Sequence, residues 1–335
     1  MANETTYGVI NQRTAAWATS EMLMHAEPIL VLSKFGQNKP VPKNNAQQVK
    51  FRRPIPYAIS LTPLTEGVTP TAQTLTYDDV PVTLAQYGGV TKITDVVADL
   101  AEDPVLKDAS MLSGEQAAET IEMVTWGAVK AGTAVIYDTT SHSARNTVDS
   151  AVSLNVLRGA VRALKAARGK PVNQMLNGSI NIGTKPVEGG YVAFGHTDLE
   201  ADIRSVPGFL PLAEYGSRQP LCPEECGSVE NVRIILSPLL TPFADAGGLK
   251  ATNGMISTTG TATDVYPLIV CAKEAFGCVP LKGAKSITPS VLNPGTPSKS
   301  DPLGQLGYVG WKCYFAAKIL NETWIQRIEV GATDL

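Results

Sequence analysis

The amino-acid sequence predicts an α+β fold of two domains or one large domain, preceded by segments with little core of their own. With 335 residues, the chain is long enough to bury a sizeable core. Its middle contains segments with apolar residues at helical spacing, and short apolar runs typical of strands lie between and after them. The region before residue 93 instead combines polar stretches with frequent proline, which predicts an arm and a loop.

The composition favours a protein that hides surface in permanent contacts. Charged residues make up 18% of the chain, below the roughly 25% of an ordinary soluble domain. The formal net charge is -3, so the whole-chain balance does not attract a polyanion. Five cysteines, an odd number, favour reduced thiols over a disulfide framework. No apolar stretch approaches 18 residues and no signal peptide is recognisable, so we expect neither a membrane partner nor secretion by the usual route.

Residues 1–47 predict an N-terminal arm, in which a polar start precedes one apolar helical patch at residues 22–32. Residues 48–92 predict an extended β-hairpin loop, because strand-like runs at 49–53 and 80–87 flank a middle rich in proline. With about 20 residues on each side, this loop could project roughly 60–70 Å when fully extended. It has too little core to order itself, so we expect a neighbouring molecule to order it.

Residues 93–150 predict a region built on a long helix. Asp103 can cap a first turn that Pro104 opens, and Ser113 forms a capping box with Gln116. Apolar residues then recur at helical spacing, at Ala117, Ile121, Val124 and Ala128. A glycine at position 132 closes the run, which predicts a helix of about 18 residues after the capping box.

Residues 151–300 predict an α+β domain. An amphipathic helix covers residues 153–168, and a shorter helix begins at Thr197, whose capping-box partner is Glu200. Apolar strand candidates lie at residues 191–194, 232–236 and 265–272. Turns rich in glycine and threonine separate them.

Residues 301–335 end the chain with two strand-like runs, at 312–320 and 324–330. In the second run, side chains of alternate residues share a face, which is the pattern of a strand. The two runs predict a C-terminal hairpin that joins a sheet formed by the rest of the chain.

No motif in the sequence predicts a catalytic, cofactor-binding or metal site. The nucleophile elbow G-x-S-x-G, a Walker-type phosphate loop and G-x-G-x-x-G are all absent. Cys222 and Cys226 lack a second pair of ligands at zinc-finger spacing, so a structural role is favoured for both. His196 lies beside a cluster of carboxylates formed by Asp198, Glu200 and Asp202. The helix start at Thr197 accounts for these acidic residues, and a cytoplasmic α+β enzyme using His196 is the less favoured alternative.

Two clusters of basic residues remain. The first precedes the loop and consists of Lys43, Lys50, Arg52 and Arg53. We expect a contact between copies of the chain at Lys50, Arg52, Arg53 and the loop residue Glu66. The second lies on one face of the helix at 153–168 and consists of Arg158, Arg162, Lys165 and Arg168. A solvated face is its favoured interpretation, and contacts with DNA phosphates or with acidic patches on neighbours are the alternatives.

Several short motifs, each weak alone, occur in a characteristic order from about residue 35 to the C-terminus. They are VKFRR at 49–53, LTEGVTP at 64–70, LAQYG at 84–88, ITD at 93–95, DPVL at 103–106, QAAE at 116–119, AFG at 275–277, DPLGQ at 301–305 and GWK at 310–312. In this order, the chain resembles the major capsid proteins of tailed bacteriophages, specifically the family typified by the N-four-like podoviruses.

The resemblance implies the Hong Kong 97-type capsid fold. In that fold, residues 1–47 are the N-terminal arm and 48–92 the extended β-hairpin loop. Residues 93–150 are the peripheral domain with its long spine helix, and 151–300 are the axial domain. The C-terminal strands at 301–335 return to the peripheral domain.

The resemblance also implies a structural role without enzymatic activity or a cofactor. Copies of the chain would form the hexamers and pentamers of an icosahedral shell around double-stranded DNA, which the inner surface contacts non-specifically. Scaffolding, portal and decoration proteins would be further partners, and the shell would assemble in the bacterial host cytoplasm to become the virion capsid. A bacterial encapsulin-type nanocompartment shell, which shares the fold, is the nearest alternative.

One departure from some proteins of this fold concerns covalent crosslinking. Those proteins join their subunits by an isopeptide bond from a lysine in the extended loop. No lysine lies between Pro54 and Thr91 here, so we expect no crosslink from the loop.

Overall fold

The computed structural model describes residues 30–42, 44, 47–96, 105–176, 184–216, 218–250, 254–281, 287–292, 294–295, 297 and 301–335. The α-helices in this part are α1 (Val105–Lys130), α2 (Leu154–Ala166) and α3 (Glu200–Ser205). Short 3-10 helices occur at Leu32–Lys34, Arg145–Thr147, Thr197–Leu199, Leu212–Glu214 and Glu322–Trp324. The strands are β1 (Gln37–Asn38), β2 (Gln48–Pro54), β3 (Tyr77–Thr83), β4 (Ala85–Thr94), β5 (Val135–Tyr137), β6 (Val172–Leu176), β7 (Thr184–Gly195), β8 (Phe209–Pro211), β9 (Glu225–Val229), β10 (Val232–Leu236), β11 (Tyr266–Cys271), β12 (Phe276–Pro280), β13 (Thr288–Leu292), β14 (Leu306–Ile319) and β15 (Ile325–Val330).

The larger sheet runs in the order β5-β15-β11-β7-β10-β9-β8, with β6 added beside β7. Strands β10 and β11 are buried along their whole lengths, because both faces of the sheet are covered. On one face, Ala193 and Leu268 share a cluster with Leu157 of α2. On the other face, Phe194 shares a cluster with Trp126 of α1. Alternate residues of one sheet therefore fill two cores, one against each helix.

The smaller sheet is built around β14, which pairs with β4 on one side and with β12 and β13 on the other. The helix α1, which we call the spine helix, packs against this sheet. Nε1 of Trp311 on β14 donates a hydrogen bond to Oε1 of Gln116 on the spine helix, at 3.0 Å. A β-carbon at Gly89 would collide with that amide oxygen, so any larger residue there would displace the Gln116 side chain from this contact.

The spine helix is longer than the sequence analysis predicts, with 26 residues. The predicted capping box at Ser113 is wrong, because Ser113 is buried inside the helix. The preceding residues already bury a face of their own, for example at Ala109, and so the helix continues through this point. The proposed caps Asp103 and Pro104 lie outside the described residues.

The helix predicted at 153–168 is confirmed as α2, whereas the capping box predicted at Thr197 is wrong. Here the cap is the side chain of His196, whose Nδ1 accepts a hydrogen bond from the amide of Asp198 at 3.1 Å. Glu200 starts α3 and pairs with Arg204 one turn later. A histidine nitrogen therefore performs the capping that the sequence pattern assigned to threonine.

The predicted C-terminal hairpin is also wrong. Strand β14 belongs to the smaller sheet, whereas β15 pairs with β11 and β5 in the larger sheet. The 3-10 helix Glu322–Trp324 carries the chain from one sheet to the other. The run predicted at 80–87 is likewise divided, because β3 ends at Thr83 and β4 begins at Ala85. The domain boundaries derived from the resemblance stay a prediction.

Most of the predicted arm, including residues 22–29 of its helical patch, lies outside the described residues. Its described end contains the 3-10 helix Leu32–Lys34 and the short strand β1. Among the described helices, none combines the length and the apolar character that crossing a membrane requires.

Candidate intersubunit surface

Residues 55–76, between β2 and β3, expose an unusual series of apolar side chains. We call this segment the exposed tip. Its exposed apolar residues are Ile55, Tyr57, Ile59, Leu61, Leu64, Val68 and Leu75. Leu61 and Leu64 expose 87% and 77% of their surface. Large exposed apolar surface marks contact sites in soluble proteins, so the exposed tip is the first candidate for an intersubunit contact.

The root of the tip is fixed to the body of the protein. Strands β2 and β3 pair antiparallel over their whole lengths. Phe51 of β2 and Val82 of β3 share a buried cluster with Val279 and Ala316 of the smaller sheet. Nζ of Lys318 on β14 donates to the carbonyl oxygen of Pro81 at 3.1 Å. The paired strands β2 and β3, which we call the hairpin base, therefore hold the exposed tip on the body of the protein.

Two of the residues expected at the intersubunit contact pair within the chain. Nε and Nη2 of Arg52 donate to the two carboxylate oxygens of Asp79 at 2.8 and 3.0 Å. Arg53 donates to Asp78 across the same hairpin at 3.1 Å. The hydrogen bond between Arg52 and Asp79 lowers the pKa of the Asp79 carboxyl. The same hydrogen bond raises the pKa of Arg52.

These acidic partners were missed by the sequence analysis, although the register of the hairpin brings Arg52 opposite Asp79 and Arg53 opposite Asp78. Cross-strand pairs of opposite charge stabilise a hairpin. Lys50 lies on the same strand with an exposed side chain, and Glu66 lies in the exposed tip beside the turn at Gly67. Lys50, Arg52 and Arg53 all lie on β2, whereas Glu66 lies in the exposed tip.

A groove of about 490 Å³ lies beside the hairpin base. Its lining includes Lys39, Arg52 and Arg53 together with apolar Phe51 and Trp324. Nζ of Lys39 also donates to the carbonyl oxygen of Lys50 at 2.9 Å. The hairpin base therefore combines basic groups with apolar surface next to the exposed tip.

Three residues of the second basic cluster lie on α2 beside a smaller groove of about 300 Å³, and Arg168 follows just after the end of the helix. Arg158 pairs with Glu230 at the turn between β9 and β10. Arg162, Lys165 and Arg168 expose their side chains. This face of α2 is thus positively charged, and its apolar residues point toward the larger sheet.

The carboxylates near His196 serve separate structural contacts. Asp198 accepts a hydrogen bond from the Tyr266 hydroxyl at 2.7 Å, and Asp202 accepts from the hydroxyl of Thr333 at 2.6 Å. Glu200 pairs with Arg204. These contacts account for the acidic residues around His196 by local structure.

The cysteine pair of the sequence analysis also has a structural environment. Cys222 is buried, and burial raises the pKa of its thiol to about 12. Burial likewise raises the pKa of half-buried Cys226. Both thiols therefore favour the protonated form, which is a poor nucleophile and a poor metal ligand.

A cluster that the sequence analysis missed joins Asp138, His142 and Asp149, whose potential ligand atoms lie within 4.8 Å of one another. Oδ2 of Asp138 already accepts hydrogen bonds from the amides of Asp149 and Ser150, at 3.0 and 2.9 Å. Oδ1 of Asp138 contacts Nδ1 of His142 at 2.7 Å. The chain itself therefore satisfies this buried carboxylate.

Comparison with known proteins decides the family. The family model described as "Phage capsid protein" matches residues 77–328, about three quarters of the chain. The chain belongs to the phage capsid protein family. The capsid protein is also 24% identical over 200 residues to the major capsid protein of Pseudomonas phage KPP21. That similarity covers 56% of this chain and 48% of the relative, so the match spans about half of the relative's length.

Solved phage capsids share the fold of this capsid protein. The capsid of Ralstonia phage GP4 superposes with a TM-score of 0.68 at 13% identity, covering 92% of this chain and 90% of that one. The cyanophage Pam1 capsid gives 0.58 at 16% identity, covering 92% of each chain. The head of Helicobacter pylori bacteriophage KHP40 gives 0.58 at 12% identity, covering 90% and 88%. The prediction of an α+β fold of the Hong Kong 97 type is confirmed, and the narrower N-four-like subtype stays a prediction.

Proposed function

We propose that this capsid protein assembles with copies of itself into the hexamers and pentamers of an icosahedral shell that encloses double-stranded DNA. The observation that carries the proposal is the exposed tip, which holds apolar side chains away from the body on an anchored hairpin. The membership of this chain in the phage capsid protein family supports a structural role without enzymatic activity. In this role the extended loop lies across a neighbouring subunit.

The energetics of the exposed tip favour such a contact. Burying one Val, Leu or Ile side chain is worth about 1.5–3 kcal/mol. The tip offers seven exposed apolar residues within residues 55–76. Part of the gain is offset by ordering the loop and immobilising the subunit. Repetition of the same contact around a shell makes even a modest net gain per subunit decisive.

Polar groups at the hairpin base would set the register of the contact. Arginine has five N–H donors, and Arg52 uses two of them on Asp79. Further donors of Arg52, the exposed ammonium of Lys50 and the carboxylate of Glu66 are available for complementary charges on a neighbour. We therefore retain Lys50, Arg52, Arg53 and Glu66 as proposed intersubunit contacts.

The exposed cations on α2 and just after its end are the proposed contact with packaged DNA. Arg162, Lys165 and Arg168 project from one region of a chain whose formal net charge is only -3. Non-specific binding to DNA requires basic groups that reach phosphates, and it requires no base recognition. Scaffolding, portal and decoration proteins are further proposed partners, and assembly in the bacterial host cytoplasm suits the five free thiols.

The experiment compares variants of the exposed tip in an assembly assay by electron microscopy and solution mass. We expect the wild-type protein, with scaffold if assembly requires it, to form regular shells of megadalton mass. Leu61→Ser with Leu64→Ser should raise the concentration needed for assembly by at least tenfold, since about 1.4 kcal/mol per subunit corresponds to a factor of ten. Leu303→Ser, which changes a residue that is 78% exposed outside the tip, is the matched control.

Three outcomes would contradict the proposal. Normal shells from the Leu61→Ser, Leu64→Ser variant would remove the exposed tip from the contact. A wild-type protein that stays monomeric even with scaffold would contradict the shell itself. Regular shells that contain cargo protein and no DNA would favour the encapsulin-type alternative.

A further inference from the structure

Two buried carboxylate oxygens have no hydrogen-bond partner within the described part of the chain. They are Oε2 of Glu122, on the spine helix, and Oε2 of Glu224, in the turn before β9. The Glu122 side chain is completely buried. Buried polar atoms of native proteins are nearly always hydrogen-bonded, and an isolated buried carboxylate is strongly unfavourable. The two unpartnered oxygens therefore require a physical explanation.

The other oxygen of Glu122 fastens the N-terminal segment to the spine helix. Oε1 accepts a hydrogen bond from the amide of Leu32 at 2.8 Å, and it lies 3.3 Å from the amide of Val31. Both residues are buried in the cluster that contains Trp126. Any change in the charge of Glu122 therefore acts directly on the attachment of this segment.

Charged and titratable groups reach Glu122 from three neighbouring elements. Lys34 lies on the 3-10 helix that Glu122 holds, Glu224 approaches from the turn before β9, and Cys278 lies on β12. Burial is the main reason that the pKa of Glu122 rises to about 7; the two amide bonds and Lys34 lower it, and the charge of Glu224 raises it. Burial raises the pKa of Cys278, and that of Cys222 beside Glu224, to about 12. Both thiols therefore stay uncharged near neutral pH.

We propose that the Glu122 carboxyl clasps the N-terminal segment to the spine helix most tightly while it is protonated. In the neutral form, Oε1 of Glu122 accepts from the two amides and the buried site holds no uncompensated charge on Glu122. Loss of the proton leaves a buried carboxylate with one unpartnered oxygen, which favours release of the segment.

The pH range follows from proton linkage. When the segment is released and solvated, Glu122 titrates near its ordinary value of 4.5, whereas it titrates near 7 in the clasped form. The clasped form therefore binds more protons between these two values. The clasp is strongest below about pH 4.5, weakens as the pH rises toward 7 and is constant above that. Each unit of difference between the two pKa values changes the clasping equilibrium tenfold, or roughly 300-fold over the whole range.

Hydrogen exchange measured by mass spectrometry on the purified full-length protein tests the clasp. The readout is the protection of a peptide that covers residues 30–35, corrected for the intrinsic exchange rate, between pH 5 and 8. In the wild type, protection should fall by up to about tenfold per pH unit to pH 7 and then level off. Glu122→Gln keeps a neutral amide in place of the carboxyl, so its protection should be independent of pH. Glu119→Gln, an exposed change on the same helix, should retain the wild-type profile.

A wild-type profile in Glu122→Gln, or a flat profile in the wild type, would overturn the proposal. If Glu122→Gln does not fold, Glu224→Gln provides the second test. Without the charge of Glu224, the fall in protection should move to lower pH. An unchanged profile in Glu224→Gln would show that the fall in protection does not follow the protonation of Glu122, and it would overturn the proposal as well.

Discussion

The exposed tip and the spine helix carry similar apolar residues in opposite environments. In the tip, Ile59 and Leu61 expose 72% and 87% of their surface, whereas Ala117 and Trp126 of the spine helix expose at most 1%. Burial of apolar surface is favourable whichever molecule supplies the partner. The spine helix finds its partners within the chain, and the tip would find them on another copy. This difference implies that changes in the two regions separate folding from assembly.

The largest effect in this comparison is expected for Trp126→Ala in the spine helix. The change removes a buried aromatic ring and its hydrogen bond from Nε1 to the carbonyl oxygen of Thr241, 3.2 Å long. Such a truncation should lower the free energy of unfolding of the unassembled protein by about 3–5 kcal/mol. Denaturant unfolding followed by tryptophan fluorescence or circular dichroism measures it.

The matched change in the tip is Leu61→Ala, which should alter the same free energy by less than about 0.5 kcal/mol because the side chain is already in water. Similar losses of stability in Trp126→Ala and Leu61→Ala would show that the tip packs against its own chain in solution.

A smaller effect is expected where charge instead of apolar surface joins the spine helix to the larger sheet. Glu329 on β15 is completely buried and accepts two hydrogen bonds from Arg145, at 2.9 and 2.7 Å. Arg327, whose side chain is 11% exposed, lies beside the same carboxylate and donates to the carbonyl oxygen of Gly132 just after the spine helix. Glu329→Gln leaves both guanidinium groups without their carboxylate.

Removing one partner of a fully buried ion pair costs about 3–5 kcal/mol, but Arg145 keeps a third of its side chain in water. We therefore expect Glu329→Gln to lower the free energy of unfolding by about 2–3 kcal/mol. Asp334→Asn, at the exposed pair with Lys250, is the control and should change it by less than about 0.5 kcal/mol. A loss below that limit in Glu329→Gln would show that water reaches this cluster.

The elements that the sequence predicted correctly are those whose signals are local. The strand at 49–53, the proline-rich middle of the loop and the amphipathic helix at 153–168 each depend on spacing within about 20 residues, and the structure has β2, the exposed tip and α2 there. The C-terminal hairpin failed because β14 and β15, although adjacent in the chain, pair with strands far away in sequence. Periodicity identifies a strand but does not select its partner.

The contacts of the candidate sites were hidden from the sequence for the same reason. Glu122 meets Leu32 across 90 residues, and Arg145 meets Glu329 across 184. The pairs of Arg53 with Asp78 and of Arg52 with Asp79 could have been found from the sequence. The prolines between the two strands already indicated a hairpin, and its register places these residues opposite each other. Counting residues outward from the middle of the hairpin along both strands would have identified the two pairs.

The smallest effect on folding, and the sharpest distinction between the two kinds of region, is expected at the hairpin base. Arg52→Asp with Asp79→Arg exchanges the partners of an exposed pair and preserves their attraction within the chain. The unfolding midpoint of the unassembled protein should therefore stay at the wild-type value. Arg52→Asp alone places like charges opposite each other, which destabilises the hairpin locally.

Assembly is expected to respond differently from folding. If Arg52 meets an acidic group on a neighbour, the exchanged pair moves the positive charge to the adjacent strand, so both the single and the double variant should assemble poorly. If the pair acts only within its own chain, the double variant should restore normal shells while the single variant does not. Measurement of the concentration needed for shell formation, beside wild type and with the unassembled proteins shown to be folded, distinguishes these outcomes and decides whether the hairpin base belongs with the exposed tip or with the body.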